Sequence, residues 1–164
     1  MEPQGNTFVL YKSFSGEIYE QVLKIAQGNG CNYFEFCIRH DIDFLGDYSY
    51  GYSENTYKFM EELTPFLVSE IQTNHWVTGM VISREKEATL YRYHLNEQSL
   101  MKILEYSHSV SDWCGPKLPE DLVLFQDEKP WLGFIGHEAM SFWFLTESEA
   151  KEIGEIGIDL FDEG

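Results

Sequence analysis

Lysine and arginine are scarce in this chain: 11 together, against 28 aspartates and glutamates, for a formal net charge of −17. Phosphate recognition needs a basic footprint, so this balance argues against a DNA- or RNA-binding protein. It equally disfavours docking on an anionic membrane. Long apolar runs are missing too. No stretch approaches the roughly 18 residues of a spanning helix. The opening Met1-Glu2-Pro3-Gln4-Gly5-Asn6 has neither the basic nor the apolar region of a secretory signal. Cysteine is sparse and odd in number, at three. Cys31 and Cys37 fall in one expected strand, about 20 Å apart at the usual strand rise, too far for a disulfide. Cys114 stands alone in sequence, with an approach to either of the others in space left open. Reduced thiols in a cytoplasmic protein are the expectation that follows.

The usual catalytic signatures are absent or incomplete. No serine sits in a Gly-x-Ser-x-Gly elbow. Gly28-Asn29-Gly30 follows an expected helix and leads into a strand, the reverse of the phosphate-loop order. His137-Glu138 opens like a zinc-protease motif, but Ser141 stands where its second histidine belongs, and the context is a turn between strands. The nearest charged neighbour of Cys114 is Asp112, which raises a thiol pKa instead of activating it.

Aromatic residues are plentiful, at 12 Phe, 10 Tyr and 4 Trp in 164 residues, and the chain is 43% apolar. That composition is globular, and the length suits one domain spanning residues 1–164. Residues 7–14 read as a strand. Ser15 then caps a helix whose Ile18, Val22, Ile25 and Ala26 share a face. Residues 31–39 form a second strand, apolar enough for burial on both faces, and its relation to the first is open between a parallel crossover and a split arrangement. Residues 41–53 are a loop. Glu54–Leu63 is a short helix with Tyr57, Met60 and Leu63 inward, stopped at Thr64-Pro65. A strand at 66–72, a hairpin of 76–82 with 88–95, a helix capped by Asn96 and a loop at 107–119 follow. Residues 122–125, 131–135 and 141–145 make a three-stranded meander, and Thr146 with Glu149 forms a capping box for a last helix. The sum is an α+β domain: a mixed or antiparallel sheet with helices on one face, and an acidic C-terminal tail from about residue 154.

The densest polar cluster is Arg39-His40-Asp41-Ile42-Asp43, leaving the end of a hydrophobic strand. It resembles the first metal motif of polysaccharide deacetylases, which implies Asp41 as base and Asp43 as metal ligand. The second motif of that family, two histidines on one helical turn, is missing after His108. A small metal-dependent hydrolase built on His40, Asp41 and Asp43 is therefore the alternative reading. The same loop supports another one. Tyr48, Tyr50 and Tyr52 alternate with Ser and Gly beside Asp41, Asp43 and Asp47. Tyrosine supplies contact area at low entropic cost, and acids speed encounter with a basic surface. Glu120 and Asp121, in a turn expected to face solvent, and His137 and Glu138 complete the candidate partner-binding set, with no catalytic residue, metal or cofactor required.

Trp113, the run Leu118-Pro119-Glu120-Asp121-Leu122, the step Pro130-Trp131-Leu132-Gly133, His137-Glu138 and the Thr146-Glu147-Ser148-Glu149 helix start resemble small acidic proteins of Bacillus type that carry a loose sporulation label. More distantly, a small acidic domain of this kind looks like the immunity proteins paired with bacterial toxins, or like phage-borne inhibitors. The resemblance implies a non-enzymatic binding protein, monomeric or homodimeric. Its partner would be a basic protein such as a toxin or nuclease, whose positive cleft is covered by carboxylates.

Overall fold

Alternation along the strand Tyr33–Arg39 shows how the sheet acquires two different faces. Phe34 and Phe36 enter the main core, whereas Cys37 joins a smaller cluster with Trp76, Ala88 and Leu90 on the other side. The computed structural model describes residues 5–40, 52–76 and 88–162. Within them the strands are β1 (Asn6–Leu10), β2 (Tyr33–Arg39), β3 (Leu67–Thr73), β4 (Ala88–His94), β5 (Glu120–Gln126), β6 (Lys129–Ile135), β7 (Met140–Leu145) and β8 (Phe161–Asp162). They form one sheet in the order β3-β4-β2-β5-β6-β7-β1-β8. Every pairing is antiparallel. The helices are α1 (Gly16–Gly28), α2 (Glu54–Leu63), α3 (Glu97–Tyr106) and α4 (Glu147–Glu155).

This is a single α+β domain, and β5, β6 and β7 are the expected meander. All four helices send side chains into the main core: Val22 and Leu23 from α1, Phe59 and Leu63 from α2, Leu100 and Ile103 from α3, Ile153 from α4. Each such side chain, fully buried, contributes about 1.5–3 kcal/mol, far more than any local propensity. Three indole rings lie in this core, and their N–H groups are all satisfied. Trp113 donates to the Tyr19 hydroxyl (2.9 Å), Trp131 to Glu149 (3.0 Å) and Trp143 to Ser141 (3.0 Å).

Several local expectations are corrected. β1 and β2 run in the same direction but are separated by β5, β6 and β7, so the split arrangement holds. The hairpin partner of β4 is β3, with Ile71 opposite Leu90. The expected strand at 76–82 falls beyond the described residues except for Trp76. The buried stripe of α1 is Tyr19, Val22, Leu23 and Ala26, while Ile18 is 37% exposed. The stripe turns because Tyr19 has an interior polar chain to join: Trp113 Nε1 donates to the Tyr19 hydroxyl, which donates to Ser107 (2.6 Å), which donates to the Ile103 carbonyl (2.6 Å). On α2, Phe59 is buried and Tyr57 faces out at 51%. Phe59 fits between Phe36, Tyr106 and Trp113, at ring separations of 5.9, 5.0 and 6.0 Å. Ser15 precedes α1 in extended conformation but its side chain makes no capping bond. Asn96 and Thr146 cap α3 and α4 as expected, each within a reciprocal capping box.

Candidate protein-contact surface

The acids at the start of β5 are structural. Glu120 is 5% exposed and Asp121 2% exposed, which overturns the expectation that this turn faces solvent. Glu120 Oε1 accepts from the Tyr52 hydroxyl at 3.1 Å and from the Gly115 amide at 2.9 Å. Asp121 accepts from Trp76 Nε1 at 3.0 Å through one oxygen and from the Gly136 amide at 3.2 Å through the other. Its backbone holds φ at 58°, a left-handed conformation that aspartate tolerates better than most residues. At Gly136 an added Cβ would lie 2.1 Å from the Trp113 carbonyl oxygen, so glycine alone permits this approach. The two carboxylates thus tie the loop before β5, the turn after β6 and the segment before α2 to one point.

Burial pushes the Glu120 carboxyl above its usual range, and the neighbouring Asp121 charge adds to the effect. Asp112, in the same loop, goes the other way. Burial opposes its charge, but the Lys117 ammonium at 2.6 Å and the amides of His108 and Ser109 outweigh it, and its pKa is lowered. Cys114 is pushed up by burial and then by Glu120, Asp121 and Asp112, the reverse of what a reactive thiolate needs. Cys31 and Cys37 are buried and outside any disulfide.

The remaining candidates divide. Tyr52 is 6% exposed, and its hydroxyl also accepts from the Arg39 amide at 2.9 Å, so it packs inward instead of offering a contact. His137 and Glu138 are exposed in a one-turn 3₁₀ segment between β6 and β7, with His137 Nε2 3.8 Å from Glu138 Oε1. Asp41, Asp43, Asp47, Tyr48 and Tyr50 lie outside the described residues. His40 is exposed, with Nε2 2.9 Å from the Thr89 hydroxyl. Among the described residues no group of three or more His, Cys, Asp or Glu side chains is placed to hold a metal ion. No helix among them is long and apolar enough to cross a membrane.

Within the described helices and strands, charge is divided unevenly. The four helices carry eleven acids and four lysines. Strands β1 to β7 carry four acids and three basic residues, nearly a balance. Within the sheet the charges largely cancel: Arg92 reaches Glu35 at 2.9 Å, with its guanidinium 4.4 Å over the Tyr33 ring and 4.7 Å over the Phe125 ring. On the helices two lysines meet acids, Lys24 with Glu20 and Lys102 with Glu62 and Glu105. Exposed Glu17, Glu54, Glu61, Glu97, Glu147 and Glu155 are left with no ion pair among the described residues. The acidic helical faces are absent from the candidate set drawn from the sequence, although their signal is present in the amphipathic spacing: the acids occupy positions between the core stripes. No protein-family model, curated protein or solved structure matches the chain.

Proposed function

We propose that this is a non-enzymatic binding protein whose acidic helical layer docks on a basic partner protein and blocks it, as an inhibitor of immunity or anti-toxin type. The observation that carries the proposal is the uneven charge of the described elements: eleven acids against four lysines on the helices, four acids against three basic residues on strands β1 to β7. A uniformly acidic coat serves solubility and needs no such asymmetry. Carboxylates gathered on one side present closely spaced negative oxygens to a cleft that expects phosphates, and they raise the association rate. Burial of Glu120, Asp121 and Tyr52 shifts the expected contact from the β5 turn to α1, α2, α3 and α4. The test pairs the purified protein with cationic proteins encoded beside it and measures association by stopped flow at 50 mM and 500 mM salt. The expected result is a one-to-one complex whose association slows at least tenfold at high salt. Reversing Glu147 and Glu155 to Lys should slow it further at low salt. A complex indifferent to both salt and charge reversal would refute the reading.

A further inference from the structure

Strand β3 ends the sheet, and among the described residues it pairs only with β4. An edge strand presents unpaired backbone donors and acceptors to any chain that can lie alongside it, and folded proteins normally blunt such edges with lysine, proline or extreme shortness. The opposite edge, β8, follows that rule with two residues. β3 has seven residues, with no lysine, arginine or proline. From Phe59 to Trp76 the sequence contains neither lysine nor arginine. A bulge between Leu67 and Ser69 disturbs only the first part of the strand, and regular pairing runs from Ser69 to Thr73. Leu67, Val68 and Ile71 are 38%, 44% and 56% exposed.

The two faces of this edge differ. Glu70 lies opposite Tyr91, which packs on the helix-covered core. Residues paired across neighbouring strands share a face, so Glu70 stands with Tyr91 on the helix-covered side of the sheet. Ile71 lies opposite Leu90, on the side of the smaller apolar cluster. A strand added beside β3 would therefore meet an acid on one face and an aliphatic side chain on the other. A basic residue set against Glu70, with a β-branched apolar residue beside it against Ile71, fits this pair; Ser69, Gln72 and Thr73, the other regularly paired positions, carry no charge. A second copy of the chain is the wrong occupant, since it would bring another net charge of −17 and its own Glu70 to the seam.

We infer that the edge of β3 is a docking strand for an extended segment of the partner protein that sets a basic residue against Glu70 and an apolar one against Ile71. This inference rests on the acidic-layer reading and names where on the partner's chain the recognition occurs. The probe is a fluorescein-labelled nine-residue peptide of alternating Lys and Val. Its control has the same sequence with alternate backbone amides N-methylated, which keeps charge and side chains but removes the donors needed to add a strand. Anisotropy at 50 mM salt should show binding that weakens at least tenfold on N-methylation and at least tenfold with Ile71→Lys or Glu70→Lys. Both substituted positions are exposed, and circular dichroism checks that the variants fold. Hydrogen exchange should slow within Leu67–Thr73. Binding that ignores N-methylation and leaves exchange in β3 unchanged overturns the docking strand while sparing the acidic layer. Failure of both this peptide and the cationic proteins to bind overturns both. Concentration-dependent dimerisation of the protein alone, abolished by Ile71→Lys, assigns the edge to a second copy and likewise overturns the inference.

Discussion

At the scale of single residues, Glu120 joins protonation to the fold. Its side chain accepts from the buried Tyr52 hydroxyl and the half-buried Gly115 amide. Removing the acceptor in Glu120→Ala takes this bond from both, and at about 1–3 kcal/mol for a buried donor so deprived, a loss on the order of 2 kcal/mol in urea denaturation is expected. Glu120→Gln keeps the accepting oxygen and should lose far less. The pH dependence separates the two variants further. Burial raises the Glu120 pKa in the folded state above its unfolded value. Native protein then binds the proton more tightly than the unfolded chain, so this contribution is full below the ordinary carboxylate range. It is lost as pH rises through the raised folded value. Glu120→Gln should abolish that component and show a flatter stability profile across the window. A wild-type slope unchanged in the variant would contradict the assignment. Asp112, with its lowered pKa, works in the opposite sense: its contribution is present above the ordinary carboxylate range and is lost as pH falls through the lowered value.

At the scale of elements, α4 shows how a local motif takes on tertiary work. Thr146 accepts from the Glu149 amide at 3.2 Å, and Glu149 accepts from the Thr146 amide at 2.8 Å. This box was legible in the spacing of two residues. The second oxygen of Glu149 also takes Trp131 Nε1 at 3.0 Å and Gln126 Nε2 at 3.1 Å, which pins α4 to β5 and β6. Burial opposes the Glu149 charge, yet these donors together lower its pKa. Thr146→Ala should cost about 1 kcal/mol, the usual value of a cap. Glu149→Ala should cost clearly more, because Trp131 loses its acceptor, and urea midpoints of the two variants measure the difference. Equal losses would mean that the Trp131 bond adds nothing. Elsewhere the period of a helix was readable and its phase was not. On α2, Tyr57 and Phe59 are both aromatic, and only Phe36, Tyr106 and Trp113 select Phe59 for the interior.

For the whole molecule, the surplus of acids sets a standing repulsion across a helical layer with few lysines. Salt shortens its range, from about 30 Å at 0.01 M to about 3 Å at 1 M. The urea midpoint should therefore rise between 10 mM and 500 mM sodium chloride. Surface ion pairs such as Lys24–Glu20 contribute too little, about 0.3–0.5 kcal/mol for that spacing, to reverse the trend. A midpoint that falls with salt would show attraction outweighing repulsion on this surface. The same field that costs stability in isolation would be relieved by the basic partner proposed above.

Charge, length, the α+β class, the meander and the caps of α3 and α4 were determined by the sequence alone, because each rests on composition or on residues within a turn or two of one another. The fate of individual acids and aromatics was decided only by tertiary structure. Tyr52 meets Glu120 across 68 residues, and Trp76 meets Asp121 across 45. A carboxylate leaves water only where distant donors converge on it, and no local pattern records that convergence.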